Sequence, residues 1–403
     1  MSTVYKDSKE GNTRRNVGLL AACQALLFTN NSTLIAINGL AGLALAPYIG
    51  LATLPVTCWV LGGAIGTMPA SLHMKRVGRQ RGLTTGTLWG IVGALICASA
   101  IWAQSFWLLC FGTLVFGVYN AYGQYYRFAA ADVASGDFKP IAISLVLAGG
   151  LVGGILGPTS SRWTIDMLGP KFMAAYLVLI GFALMTMVLL RFVRIPTPTA
   201  AEQSATGRPL REIAAQPKFI LAVLAGAIGY GVMNFLMTST PIAMQVCGHP
   251  YSDAAFVISS HIIGMFAPSF FTGPLIRRVG VLPVMVVGVL CNFGAIAIAL
   301  SGIAVSQFWF SLVLLGVGWN FLYLGGTTLL TETYRPEERA RAQGTNEQAI
   351  FIMMAISSFT SGMTVTTAGW QRVNLFALPL VAVVGVALVW FALRNRAQKA
   401  AAA

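Results

Sequence analysis

The chain has 403 residues, of which 56% are hydrophobic and only 9% are charged, whereas a water-soluble domain carries about a quarter charged residues. A surface so poor in charge cannot face water, which excludes a soluble enzyme or binding domain and makes lipid the solvent for most of the chain. The net charge of +14 would suit a nucleic-acid partner, but Lys and Arg also collect in the cytoplasmic loops of membrane proteins, so their placement along the chain decides.

Residues 1–16 are polar and are expected to stay in the cytoplasm. Ala44-Leu45-Ala46 resembles a signal-cleavage site, but Pro47 follows it directly and the stretch before it is long enough to span, so no cleavage is expected. Stretches of about 20 mostly apolar residues, the length that crosses a bilayer, lie near 17–39, 47–71, 83–103, 106–132, 141–160, 172–194, 218–244, 253–275, 281–304, 307–332, 342–366 and 372–393. Twelve spans place both termini on one side. With that side inside, 22 of the 26 Lys and Arg residues fall in cytoplasmic segments and only Arg162, Lys171 and Arg372 outside, with Arg127 left within a span. That asymmetry is the positive-inside pattern; it makes a multi-pass inner-membrane protein the expectation and removes the need for a nucleic-acid partner.

The one long polar break, 196–217, is rich in Pro, Thr, Ser and Gln. It reads as a flexible cytoplasmic linker between a six-helix bundle at 1–195 and a second at 218–403. The six cysteines are scattered, without metal-ligand spacing, and five lie in apolar runs, so they read as small apolar side chains and no metal or cofactor is expected.

The halves echo each other at an offset of about 200 residues. The loop after span 2 reads SLHMKRVG at 71–78 and the loop after span 8 reads GPLIRRVG at 273–280; Asn120 and Asp132 in span 4 match Asn320 and Glu332 in span 10; Asn30-Asn31-Ser32-Thr33 in span 1 matches Asn234 with Thr238-Ser239-Thr240 in span 7. Repeated bundles of this kind build secondary transporters, with the substrate site near the midplane between repeats.

On these residues the chain resembles the major facilitator superfamily. Ser71, Lys75, Arg76, Gly78 and Arg79 stand at positions of that family's loop 2–3 signature, with a weaker copy at 273–280; Lys75 and Arg277 replace the acidic residue. Gly149-Gly150, Gly153-Gly154 and Gly157-Pro158 are similar to the family's span-5 antiporter motif without its closing glycines, and Thr113 replaces the arginine before the span-4 glycine, here Gly117. The stretches TNNSTLIAINGLAG, GQYYRFAAAD and GWNFLYLGGTTLLTE further resemble the bacterial branch that includes riboflavin uptake permeases. The resemblance implies an all-α membrane fold of two pseudo-symmetric six-helix bundles, working by alternating access, with spans 1, 4, 7 and 10 lining the cavity.

Polar side chains in mid-bilayer must be satisfied by a neighbouring helix, water or solute. In those four spans they are Asn30, Asn31, Tyr119, Asn120, Gln124, Arg127, Asn234, Trp319, Asn320 and Tyr323, with Tyr122, Tyr126 and Tyr230 beside them. They are candidate solute contacts, and each can equally tie helices together. Arg127 either grips an anionic group of the solute or pairs with Asp132 or a carbonyl. Asp132 and Glu332, at equivalent cytoplasmic span ends, are candidate gate partners of Lys75, Arg76, Arg79, Arg277 and Arg278. Glu347, inside span 11, is either a proton relay or a carboxylate held near a helix N-terminus and paired with Arg339 or Arg341. His261 in span 8 reads as a hydrogen-bonded packing residue.

Three distant histidines and acids placed mostly in loops provide no catalytic constellation, which disfavours a multispan enzyme, and no P-loop is present for ATP drive. The first half carries no mid-span carboxylate, against a drug/proton antiporter, which stays as the alternative. Neutral amides with aromatic rings suit a flat polar molecule. The expectation is a monomeric secondary transporter for a small planar solute, with riboflavin uptake as the specific substrate reading and a proton as a candidate coupling ion.

Overall fold

The computed structural model describes residues 2–48, 51–197 and 207–402. These are helices joined by short turns and loops, with no strand among the described residues, because in lipid only helices or closed barrels satisfy every backbone polar group. The chain divides into two compact units, Met1–Ala205 and Thr206–Ala403.

The first unit contains α1 (Ser2–Leu45), α2 (Leu54–Val77), α3 (Arg79–Trp102), α4 (Phe106–Gly123), α5 (Tyr126–Val133), α6 (Phe138–Thr164) and α7 (Met173–Phe192). Helix α1 begins well before the apolar stretch that sets its span. The fourth span is not continuous. Tyr125 N–H bonds back to Tyr122 O, three residues away, and this tighter turn separates α4 from α5. Close approach of α6 to α1 rests on Gly149, Gly153 and Gly157. A Cβ at these positions would meet α1 at Ala21, at Ala25, Phe28 and Thr29, and at Thr29, Ser32 and Thr33 respectively. The glycines likened above to an antiporter motif thus form a small-xxx-small packing row, and Thr33 Oγ1 donates across it to Gly157 O at 3.0 Å.

The second unit contains α8 (Leu210–Ala214), α9 (Pro217–Val246), α10 (Tyr251–Phe266), α11 (Ser269–Val279), α12 (Val281–Leu300), α13 (Val305–Leu330) and α14 (Arg339–Ala402). Span 8 breaks between α10 and α11 at Ala267-Pro268, where proline lacks the N–H that would continue the ladder. Helix α14 turns at Gly369 (φ 78°, ψ 173°), which divides it into spans 11 and 12. Residues 207–216, read from composition as linker, include α8 and are part of the second unit, hydrogen-bonded within it to Thr333; residues 198–206 of that stretch lie outside the described residues.

Among the described residues ten helices are long and apolar enough to cross a membrane. The last of these becomes two at Gly369, and α2, 24 residues long, completes twelve. The repeat is visible in the backbone. Gly78 (φ 89°, ψ 158°) and Gly280 (φ 88°, ψ 164°) separate the second span of each unit from the third, in a conformation that side-chain-bearing residues rarely adopt. Trp102, Trp107 and Trp163 are exposed at span ends that share one membrane side by span order, as an interfacial aromatic belt requires.

Candidate functional site

The first unit holds a polar network built on α1, α4 and the turn after α4. Asn31 Nδ2 donates to Asn120 Oδ1 at 2.8 Å, and Gln124 Nε2 donates to the same oxygen at 3.1 Å. Arg127 continues the chain, its Nη1 donating to Gln124 O at 2.8 Å and to Gln124 Oε1 at 3.3 Å. Arg127 is 1% exposed and its guanidinium carbon lies 4.6 Å from the Phe128 ring centroid, so an aromatic face and amide oxygens shield a charge that would otherwise be costly here. Asn31, Asn120, Gln124 and Arg127 are therefore one connected group.

Asn30 and Tyr119 belong elsewhere. Each precedes a member of the network by one residue, and a rotation of about 100° per residue turns them to another face. There Asn30 Nδ2 reaches Tyr119 Oη at 3.5 Å, Tyr119 packs edge-on against Phe116, and a Cβ on Gly90 of α3 would strike its ring. The pair joins helices and is separate from the amide network. Tyr122 has its own contact, Oη lying 3.0 Å from His73 Nδ1.

The second unit holds a buried aromatic cluster, with Trp319 1% and Tyr323 3% exposed. Trp319 and Tyr323, one turn apart on α13, stack with centroids 4.8 Å apart and planes 18° from parallel. Tyr230 from α9 meets both edge-on at 5.5 Å, and Phe266 meets Trp319 edge-on at 5.6 Å. These distances match the preferred geometries of aromatic pairs.

Asn320 is spent on the broken eighth span. Its Nδ2 donates to Met265 O at 2.7 Å and Ser269 Oγ at 2.6 Å, and its Oδ1 accepts from Thr272 at 2.8 Å. Asn320 thus caps the α10–α11 break, because that break frees groups an amide can satisfy. Asn234 likewise commits its Nδ2 to span 11, donating to Ser357 Oγ at 2.8 Å, Ser358 Oγ at 2.7 Å and Met354 O at 3.3 Å. His261 is buried, with its Nδ1 donating to Leu312 O at 2.6 Å, a packing arrangement.

Of the candidate gate residues, Arg79 and Asp132 meet. Arg79 Nε lies 2.9 Å from Asp132 Oδ2 with the side chains 7% and 8% exposed. Asp132 is thereby engaged by Arg79, whereas Arg127 takes the Gln124 carbonyl. Glu332 pairs with Lys218 at 2.8 Å, not with Arg277 or Arg278, both exposed at the end of α11. The physical reason is local: Lys218 opens α9 beside the end of α13, where Glu332 sits. Lys75 is half-buried and Arg76 exposed. Glu347 is fully buried, and Asn346 Nδ2 donates to its Oε1 at 2.7 Å.

Sequence reasoning missed a further cluster. Arg208 grips the buried Glu338 through Nε at 2.7 Å, Nη2 at 2.7 Å and its backbone N–H at 2.9 Å. Thr333 O accepts from Arg208 Nη2 at 3.1 Å and from Gln216 Nε2 at 3.0 Å. Arg208 beside Glu338 holds that carboxyl at about 2, below its ordinary 4.5, and the carboxylate in turn raises the Arg208 guanidinium. Both groups precede the apolar stretch that begins near 342. The only hint in the sequence was the loop at 331–341, where Glu332, Glu337 and Glu338 stand among Arg335, Arg339 and Arg341.

A family model described as Major Facilitator Superfamily matches residues 19–322 and 249–403. The chain is 42% identical over 382 residues to the riboflavin transporter RfnT of Brucella anthropi, covering 93% of this chain and 95% of that one. It is 28% identical over 364 residues to an uncharacterised MFS-type transporter of Bacillus subtilis, YddS, covering 85% and 82%. Among solved structures, the transporter FucP in an outward conformation aligns with TM-score 0.78 at 16% identity, covering 93% of this chain and 98% of that one. The proton:xylose symporter XylE aligns with TM-score 0.77 at 12% identity, covering 95% and 96%. With a family match along nearly its whole length and a relative well above 30% identity, this chain belongs to the major facilitator superfamily and is a multi-pass membrane transporter.

Proposed function

We propose that the chain imports riboflavin across the inner membrane, as a monomer with both termini in the cytoplasm, by alternating access and without chemical change to the solute. The observation that carries this reading is the 42% identity to a riboflavin transporter along 93% of the chain. Two local features support it. Riboflavin is a flat fused-ring system, and half-buried Tyr230, edge-on to the buried Trp319–Tyr323 stack, is aromatic surface of matching character. It also carries ring carbonyls, an N–H and a hydroxylated chain, and Asn31, Asn120, Gln124 and Arg127 offer amide and guanidinium groups to such edges.

In this reading the Arg79–Asp132 contact closes the cytoplasmic end of the first unit, Lys75, Arg76, Arg277 and Arg278 set the charge of the surrounding loops, and Lys218–Glu332 plays the matching part in the second unit. Glu347 is the proposed proton carrier, being a fully buried carboxyl inside a span. The test is uptake of labelled riboflavin into proteoliposomes, with and without an imposed pH gradient. Saturable uptake that accelerates with the gradient, and loses that acceleration in Glu347→Gln, is the expected result. Absence of any saturable riboflavin flux overturns the substrate; equal flux with and without the gradient overturns the proton coupling.

A further inference from the structure

Gln24 is one of several polar side chains of the first unit outside the network described above. Gln24 lies on α1, seven residues before Asn31, so the two share a helix face about 10 Å apart along the axis. Gln24 is 2% exposed and Asn31 5%. The carbonyl oxygens of both, Gln24 Oε1 and Asn31 Oδ1, are buried with no hydrogen-bond donor among the described residues. Orphan acceptors inside a membrane protein are costly, and most buried polar atoms have a partner. Two of them on one face of one helix, one adjoining the Asn31–Asn120–Gln124 group, are an arrangement that asks for donors.

We infer that Gln24, with Asn31, reads hydrogen-bond donors of the transported solute, so that the carrier selects a neutral molecule bearing N–H or O–H groups at both ends of a span of about 10 Å. This rests on the riboflavin reading and sharpens it. The fused ring alone is insufficient, and the hydroxylated side chain is part of what is recognised. Selection of this kind is strong because a solute lacking the donor leaves a buried acceptor unpaired. Helix packing would use Gln24 differently: a structural amide has its oxygen engaged by a neighbouring helix.

The two roles predict opposite responses to Gln24→Leu. Replacing a buried amide whose oxygen has no partner by an apolar side chain of similar size is nearly neutral or stabilising, whereas removing an amide whose oxygen is engaged lowers stability. The experiment uses the full chain in proteoliposomes, with labelled riboflavin as substrate and lumiflavin, which has the same ring with a methyl group in place of the hydroxylated chain, as competitor. The expected result for Gln24→Leu is an unchanged or higher melting temperature in detergent and a riboflavin KM raised roughly tenfold. The preference for riboflavin over lumiflavin shrinks by a similar factor. A Gln24→Leu protein that fails to fold, or that keeps both wild-type KM and wild-type preference, overturns the inference while leaving riboflavin transport in place. Lack of riboflavin uptake by the wild type removes the substrate reading and this inference with it.

Discussion

Asn31 and Asn120, 89 residues apart in sequence, meet at 2.8 Å through Asn31 Nδ2 and Asn120 Oδ1. That oxygen also accepts from Gln124, so it is the hub on which span 1 and the end of span 4 are tied. Replacing Asn120 with Ala strands two donors in a buried setting. The expected cost is about 1–2 kcal/mol, read as a lower melting temperature in detergent, together with weaker riboflavin uptake. Asn120→Asp keeps an acceptor for both donors and is expected to recover most of the stability.

The Arg79–Asp132 pair is nearly dry, and removing one member of a buried pair costs roughly 3–5 kcal/mol. Asp132→Lys goes further and sets two cations against each other. The expected outcome is a shift toward the inward-open state, measured as faster maleimide labelling of cysteines introduced on the cytoplasmic side of the first unit. Labelling at the wild-type rate would rule out a gating role for this pair.

Between Arg208 and Glu338 the sign of the pH dependence is fixed by a depressed carboxyl. Glu338 is held at about 2 against an ordinary 4.5, so its stabilisation is complete above about 4.5 and is lost as pH falls through 2. Thermal unfolding of the wild type should lose stability across this acid window, and Glu338→Gln should flatten that part of the profile while lowering the melting temperature at pH 7. The reversed pair, Arg208→Glu with Glu338→Arg, should regain part of the loss if the contact is chiefly ionic.

Trp319 and Tyr323 separate packing from recognition by the choice of replacement. Trp319→Ala removes a buried ring and should cost about 3–5 kcal/mol. Tyr323→Phe keeps the stacked ring and should leave riboflavin KM within about twofold, whereas Tyr323→Leu loses the face and should raise it about fivefold. Equal KM for the two Tyr323 variants would remove stacking from the proposed mode of binding.

Gly153 faces α1 where a Cβ would lie against Phe28 Cβ, Thr29 N and Ala25 O. Two of these are backbone atoms that cannot rotate aside. Gly153→Val should therefore abolish a stable fold, seen as loss of a monodisperse peak in detergent, whereas Gly181→Ala, with open space around it, should leave the protein intact.

Span count, repeat and family membership were legible in the residues because each is a sum of local properties: apolar length and matching loops at a fixed offset. The partner of each polar side chain was not legible. Asn30 and Asn31 are neighbours, yet one turns to Tyr119 and the other to Asn120; Asn320 looks like Asn120 by position, yet a proline break in another helix claims it; Glu332 goes to Lys218, not to the arginines of the repeated loop. These outcomes depend on the rotation of each helix about its own axis and on where helices break, and packing against neighbours sets both. Composition therefore determined that amides and rings must be satisfied inside the membrane, and only the packed helices decided which partner each one meets, leaving Gln24 Oε1 without a donor among the described residues.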